Sequence, residues 1–129
     1  MEEISILKKK VYDLNKKREA AISKVLSTKP FIAAQVYPRY KKCGNPNCKC
    51  TRGELHGPYM WLYQKKKGQK VISTTIVKGK TVEAELMSMR YTKLLELRQE
   101  IRGIDQQINE TLNEIESQLE VEVTTYVKR

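Results

Sequence analysis

Three cysteines and the only histidine of this 129-residue chain lie within fourteen positions of one another. Thiolate sulfur and imidazole nitrogen are the usual ligands of tetrahedral zinc, and four of them fill its coordination shell. The residues between them are rich in Gly, Asn and Pro, which let a short backbone curl around an ion without forming a helix or strand. We therefore predict a zinc site whose ligands are Cys43, Cys48, Cys50 and His56.

This zinc is expected to be structural. A catalytic zinc keeps one coordination position open and needs a general base beside it. Glu54 is the only acid between residues 29 and 80, and it precedes His56 by two positions, the reverse of the His-x-Glu order of zinc deaminases. The sequence also contains no Ser/His/Asp set and no phosphate-cradling glycine loop. These patterns predict a protein that is not an enzyme.

Two other interpretations of the cluster stay open. The cysteines could be small buried hydrophobic residues of a reduced loop, with His56 capping the turn at Gly57 and Pro58. An iron–sulfur cluster is disfavoured, because histidine is an unusual ligand there and a fourth cysteine is missing. A disulfide framework suits an odd number of clustered cysteines less well than a metal in a reducing compartment does.

The positive charge of the chain is confined to its middle. Residues 29–80 contain twelve Lys or Arg against one acid, whereas the two flanks together contain thirteen against fourteen acids, within a net charge of +10. A solvated face without a partner is the bland alternative, but this local excess predicts a surface that binds the phosphate backbone of nucleic acid, most simply double-stranded DNA. The candidate contact residues are Arg39, Lys41, Lys42, Lys49, Arg52, Lys65, Lys66, Lys67, Lys70, Lys78 and Lys80.

Aromatic residues alternate along one predicted strand at Tyr59, Trp61 and Tyr63. On a shared strand face they could stack on the bases of single-stranded DNA or RNA. The same row could instead pack against the metal loop or the helix ends with only its polar edges exposed, and we favour this packing role. Arg39 and Arg52 are the best candidates for bidentate contact with a phosphate or a guanine edge.

Two amphipathic helices flank the basic segment. The first is predicted over residues 2–27, with a heptad pattern of apolar residues that is broken at Arg18, and it ends before Pro30. The second is predicted to begin at Thr81 and to be the longer of the two. If they pair as an antiparallel hairpin, apolar surface is left over on the longer helix, which predicts a homodimer through its acidic C-terminal half. The predicted stripe of the second helix consists of Leu86, Leu94, Leu97, Ile101, Ile104, Ile108, Leu112, Ile115 and Leu119.

Between the helices the apolar period changes to two, which is typical of strands. Residues 59–63 and 71–77 predict a β-hairpin, and residues 35–41 predict a third strand that Pro38 confines to an edge. Residues 121–127 could form a short strand or a frayed tail. The expected fold class is α+β, with two long helices, as an antiparallel helical hairpin or coiled coil, flanking a small zinc-stapled β-hairpin or three-stranded sheet.

The same patterns divide the chain into three segments within one structural domain. Residues 1–28 form the N-terminal helix, residues 29–80 the basic zinc-loop and β-hairpin module, and residues 81–129 the long C-terminal helix and tail. The sequence has no apolar run of about eighteen residues and no signal peptide, so we expect a cytoplasmic protein that has no membrane partner.

The run from Tyr40 to Tyr63 resembles a family of small uncharacterised prokaryotic proteins. It contains a Cys-Gly-x-x-x-Cys-x-Cys loop that ends at Cys50, a His-Gly-Pro-Tyr step that begins at His56, and an aromatic strand followed by a turn at Gly68. The resemblance implies a β-hairpin with a trailing helix and a mobile-element or phage setting. It supplies no established activity.

Together these patterns predict a dimeric DNA-binding accessory or regulatory protein, which could position DNA for a recombinase or regulate its gene. The alternative is a non-enzymatic protein adaptor or inhibitor that uses the coiled coil and the basic tip, the zinc-loop and β-hairpin module of residues 29–80. A second alternative is binding of RNA or single-stranded DNA through the aromatic strand.

Overall fold

The computed structural model describes residues 2–128, which form two compact units. The helical unit contains residues 2–28 and 94–128, and the sheet unit contains residues 29–93. Within residues 2–128 the elements make an α+β fold with two α-helices and one three-stranded antiparallel sheet, which confirms the predicted fold class. None of the helices in this range is long and apolar enough to cross a membrane.

Helix α1, Glu2–Leu26, is the N-terminal half of the helical unit. Its first turn contains two acids, which the positive end of the helix dipole favours. Its buried residues follow one stripe at a spacing of three or seven positions, as a heptad pattern requires. These residues are Ile4, Leu7, Leu14 and Ala21.

Helix α2, Thr81–Leu119, has 39 residues and is about 58 Å long. In the helical unit its buried residues are Leu97, Ile104 and Thr111, one heptad apart. The guanidinium of Arg18 on α1 pairs with the carboxylate of Asp105 on α2. Gln107 lies beside Leu14 in one surface groove, so the two chain directions oppose each other. The predicted antiparallel helix pair is present, and Arg18, which interrupts the apolar heptads, makes an ion pair across it.

The predicted stripe of α2 is wrong at three positions. Leu86, Leu112 and Leu119 are exposed, whereas Thr111 is only 2% exposed, and its hydroxyl donates to the Gln107 carbonyl oxygen at 2.7 Å. Buried residues of α2 recur every seven positions from Leu97. This repeat places Thr111 against α1 and turns its neighbour Leu112 toward solvent. Helix α1 lies against this part of α2, but Leu112 and Leu119 stay exposed, so a homodimer through the acidic half of α2 stays a prediction.

The sheet consists of β1, Gln35–Lys41, β2, His56–Gln64, and β3, Ile72–Thr75, in the order β1-β2-β3. Strand β1 has the predicted bounds, and Pro38 is tolerated because β1 is an edge strand. Strand β3 is shorter than the predicted range of 71–77. In the C-terminal segment, where strand and tail were both open, a single 3-10 turn forms at Val123–Thr125.

The segment Pro30–Ala34 connects the sheet to the first turns of α2. The backbone N–H of Ile32 donates to the Met87 carbonyl oxygen at 3.4 Å, and the Ser88 hydroxyl donates to the Ala34 carbonyl oxygen at 2.8 Å. The rings of Phe31 and Tyr91 stack with centroids 5.6 Å apart. These contacts fix the start of β1 against the part of α2 that belongs to the sheet unit.

We expect Leu97→Ala to lower the free energy of unfolding by about 2–4 kcal/mol, because truncating a buried leucine leaves a cavity. Leu112→Ala is the matched control on the same helix, and it should cost less than about 1 kcal/mol, because 40% of that side chain is already exposed to water. Denaturant unfolding followed by far-UV circular dichroism measures both losses. Equal losses would contradict the burial of the repeat that begins at Leu97.

Candidate metal centre

The four predicted ligand atoms converge at the end of the sheet. Those of Cys43, Cys48, Cys50 and His56 all lie within 4.8 Å of one another. The sulfur atoms of Cys43 and Cys50 are 3.5 Å apart, and the Cys48 sulfur is 2.9 Å from His56 Nε2. Four such ligands around one zinc ion would lie about 3.6–3.8 Å apart. The cluster therefore has the size of a single-ion site, with the Cys48–His56 pair closer together than an ion would hold it.

Local turn chemistry builds this convergence. The Cys48 N–H donates to the Asn45 carbonyl oxygen at 3.1 Å, and the Thr51 hydroxyl donates to the Cys48 carbonyl oxygen at 2.7 Å. A 3-10 turn, Lys49–Arg52, then points Cys50 inward, and Gly53 ends the turn with a left-handed φ of 103°. The loop is thus shaped by backbone hydrogen bonds to present two sulfur atoms two residues apart.

Exposure is unequal across the cluster. Cys50 is 0% exposed, Cys48 and His56 are half-buried, and Cys43 faces solvent. Glu54, the acid nearest in sequence, is not part of the cluster. Cys50 therefore lies on the protein side of the cluster, and Cys43 lies on its solvent side. Such a site can hold an ion at the surface without lining a deep pocket.

The surroundings of two thiols push their pKa values in opposite directions. The backbone N–H of Asn45 and the thiols of Cys48 and Cys50 lower the pKa of Cys43. The backbone N–H of Cys43, which donates to the Cys50 sulfur at 3.3 Å, lowers the pKa of Cys50, but burial and the neighbouring thiols outweigh it and raise the net value. Without a metal, Cys43 therefore ionises before Cys50 does.

The register between β1 and β2 is irregular where the sheet meets the loop. Arg39 pairs with Tyr59, and Lys41 pairs with His56, so an advance of two residues on β1 matches three residues on β2. The additional residue acts as a β-bulge. Because successive residues alternate between the faces of a sheet, the bulge gives His56 the same face as Tyr59, where unbroken alternation would give the opposite one.

Gly57 permits this bulge. Its φ is 135°, a conformation that L side chains rarely adopt. A Cβ at this position would lie 2.7 Å from the Arg39 carbonyl oxygen and 3.0 Å from Cδ1 of Tyr40. Since the first of these atoms belongs to the backbone of the paired strand, a side chain at Gly57 would force β1 and β2 apart beside the candidate metal ligands.

The candidate nucleic-acid contacts are all exposed, but they do not gather at one place. Lys41, Lys42, Lys49 and Arg52 border the metal loop, whereas Lys65 and its basic neighbours surround the β2–β3 turn. Strand β2 separates the two groups by nine extended residues, about 26 Å. The four lysines of the turn group therefore lie at the other end of β2 from the metal loop, and the basic segment presents two separate groups of cations: one at the loop, and one made of Lys65, Lys66, Lys67 and Lys70.

The remaining two candidates follow β3. Lys80 forms an ion pair with Glu83 in the first turn of α2, with an N–O distance of 3.1 Å. Its charge is therefore partly balanced within the chain. Lys78 lies in the turn before it and is exposed. Of these two, Lys78 is the more available cation.

Two of the three aromatic side chains of β2 lie under cations of β1. The Arg39 guanidinium carbon is 4.1 Å from the centroid of the Trp61 ring, and Lys41 Nζ is 4.9 Å from the centroid of the Tyr59 ring. Tyr63 instead lines a small cavity of about 130 Å³ with Tyr91. The cation–ring pairs were not predicted from the sequence. The signal that could have revealed them is that cations at Arg39 and Lys41 and aromatic residues at Tyr59 and Trp61 both recur every second residue on neighbouring strands.

The comparisons with known proteins leave the activity undefined. A family model described as a domain of unknown function, DUF6788, matches residues 9–86. The match contains the whole Cys and His cluster and all three strands. No curated protein and no solved structure matches the chain. The family therefore agrees with the resemblance of the central motif, while the prokaryotic origin and the mobile-element setting stay predictions.

We expect Gly57→Ala to weaken metal binding by about tenfold or more, because backbone strain of about 1–3 kcal/mol would fall on the strand that carries His56. Gly44→Ala is the matched control, since its Cβ would meet open space and its φ is not positive. Competition against a chromophoric chelator measures both affinities. Equal affinities would show that the bulge does not position the ligands.

Proposed function

Because the chain belongs to the DUF6788 family, whose description assigns no activity, we propose its function from the metal centre and the surrounding charge. We propose a nucleic-acid-binding protein without enzymatic activity, in which a structural zinc ion orders the sheet unit and exposed cations bind the phosphate backbone of DNA. The observation that carries the proposal is the combination of a four-ligand cluster with twelve cations and one acid in residues 29–80.

The donor set supports zinc and a structural role. Three sulfur atoms and one imidazole match the softness and number of ligands in closed tetrahedral zinc sites. Cys43 and His56 lie just beyond β1 and at the start of β2, so an ion bound by both ties the two strands together. Glu54 lies outside the cluster. The cluster also contains no other carboxylate of residues 2–128 that could act as a general base.

Elemental mass spectrometry of protein purified without chelator should find about one zinc ion per chain. Cys48→Ser should lose most of this zinc, because it removes one of four ligands. Glu54→Gln is the control for a nearby charge change and should keep the zinc. Far-UV circular dichroism should show helix in both variants, because α1 and most of α2 belong to the other unit. Iron in place of zinc, or no metal in the wild type, would refute this part of the proposal.

Phosphate binding follows from exposure and charge. Each lysine or arginine that contacts a phosphate of duplex DNA releases condensed counterions and steepens the salt dependence of binding by about 0.9 of a log unit per log unit of salt. The lysines of the β2–β3 turn are exposed and lie where β2 and β3 form an antiparallel hairpin. The proposal does not require a second copy of the chain, because α1 and α2 bury their apolar stripes against each other.

Lys65, Lys66 and Lys67 replaced together by Gln should weaken binding to a duplex and lower its salt slope by about 2.7 if each contacts a phosphate. The matched control replaces Lys8, Lys9 and Lys10, three exposed lysines of α1, so that the net charge changes equally. Fluorescence anisotropy with a labelled duplex at several salt concentrations gives both slopes. Equal losses in the two triple variants would indicate attraction by net charge alone, and no binding by the wild type would refute the proposal.

A further inference from the structure

The cation–ring pairs on the sheet point to a specific contact within the proposed function. We infer that Arg39 is a preoriented contact for a backbone phosphate of nucleic acid, and that Trp61 is its positioning residue rather than a platform for bases. Lys41, whose Nζ lies over the Tyr59 ring, is a second phosphate contact of the same kind, two residues further along β1. This inference rests on the proposed binding of nucleic acid and names how one face of the sheet would take part in it.

The register of the sheet explains how the pairs form. Arg39 lies across from Tyr59, and Tyr37 lies across from Trp61. Directly opposite residues share a face of the sheet, so the side chains of each pair lie on the same face. The Arg39 side chain reaches diagonally to the Trp61 ring, and Lys41, across from His56, reaches diagonally to the Tyr59 ring. Both cations therefore lean in the same direction. Two residues apart on β1, their Cα atoms are about 6.6 Å from each other.

The chemistry of guanidinium on an aromatic ring favours a phosphate ligand. An arginine that lies on a ring uses its flat face for the contact, and its five N–H donors stay in the plane of the group. Those donors match two oxygens of one phosphate. Arg39 is exposed, so its donors face water that a phosphate can replace. Because the ring already restricts the side chain, less rotational freedom is lost when the phosphate binds.

The same geometry argues against base stacking on Trp61. One face of its ring is covered by Arg39, and its Nε1 is enclosed and has no hydrogen-bond partner among the described residues. A base could reach that face only by displacing the guanidinium. Tyr63, the third residue of the row, contributes to a cavity beside α2. Trp61 therefore acts on a ligand through Arg39.

A double-mutant cycle tests this relation, with a labelled single strand and a labelled duplex as probes. Arg39→Ala should weaken binding about tenfold and lower the salt slope on duplex by about 0.9. Trp61→Leu should cause a loss of similar direction, and the double variant should bind no worse than Arg39→Ala alone. Tyr63→Leu is the matched control, because Tyr63 belongs to the same face but lines the cavity with Tyr91 and does not lie under Arg39 or Lys41, and it should leave the salt slope unchanged.

Additive losses from Arg39→Ala and Trp61→Leu would overturn the inference, because Trp61 would then contact the ligand by itself. Trp61→Phe gives a second reading if the leucine variant folds poorly, since a weaker ring contact should reduce affinity only while Arg39 is present. Ring-current shifts of the Arg39 side-chain protons report the stack in the free protein. Absence of those ring-current shifts from the free wild-type protein would also overturn the inference.

The source of the phosphate is distinguished with two further probes. An abasic oligonucleotide keeps the phosphates without the bases and should bind nearly as well as the normal single strand. Inorganic phosphate at the same phosphate concentration should not compete, because it engages a single contact. Weak abasic binding would indicate base stacking, and strong competition by phosphate would indicate a small-anion site, and either result overturns the inference. A wild type that binds neither strand nor duplex would overturn the proposed function as well.

Discussion

The convergence of four ligand atoms between β1 and β2 is the constraint on which the sheet unit depends. Among its residues, only Ala34 and Cys50 are fully buried apolar residues, while other apolar side chains such as Val36, Trp61 and Leu62 are half-buried, so this unit has a small and partly solvated core. A three-stranded sheet with so little buried surface gains little from the hydrophobic effect. The interactions that remain are the sheet hydrogen bonds, the contacts of Pro30–Ala34 with α2, and the cluster. Under the zinc proposal, binding energy at the cluster is folding energy for this unit.

The β-bulge at Gly57 links that constraint to the charged face of the sheet. Arg39, whose carbonyl oxygen approaches Gly57, is the residue whose side chain covers Trp61. Lys41, whose side chain covers Tyr59, is the partner of His56 in the register. The backbone geometry that places the candidate ligand His56 is therefore the same geometry that sets the position of two cations. Disturbing one of these features would disturb the other through the backbone of a single strand pair.

Sequence reasoning reached the parts of this structure that depend on residue type and simple periodicity. The ligand group was evident because three cysteines and a histidine stand close together, and β1 was evident from alternation and an edge proline. Periodicity failed where the chain departs from its regular period. The predicted strand began at Tyr59, so the sequence did not place His56 on β2 or anticipate the bulge that sets its face. On α2, the apolar pattern favoured Leu112 for the buried stripe, because leucine is more hydrophobic than threonine. The structure buries Thr111 instead, and its hydroxyl donates a hydrogen bond to the Gln107 carbonyl oxygen within the helix.

Charge was the property for which sequence was least informative about arrangement. Composition gave the number of cations in residues 29–80, but their distribution depends on β2, whose nine extended residues hold the metal-loop group and the turn group at opposite ends. A separation of about 26 Å corresponds to roughly eight base-pair steps of duplex DNA, counting about 3.4 Å for each. For the proposed ligand, the two groups would contact phosphates at opposite ends of β2, with Arg39 between them. Affinity spread over many separate phosphate contacts is strongly salt-dependent and weakly sequence-dependent, as expected of a protein that recognises the charge and path of the backbone rather than its bases.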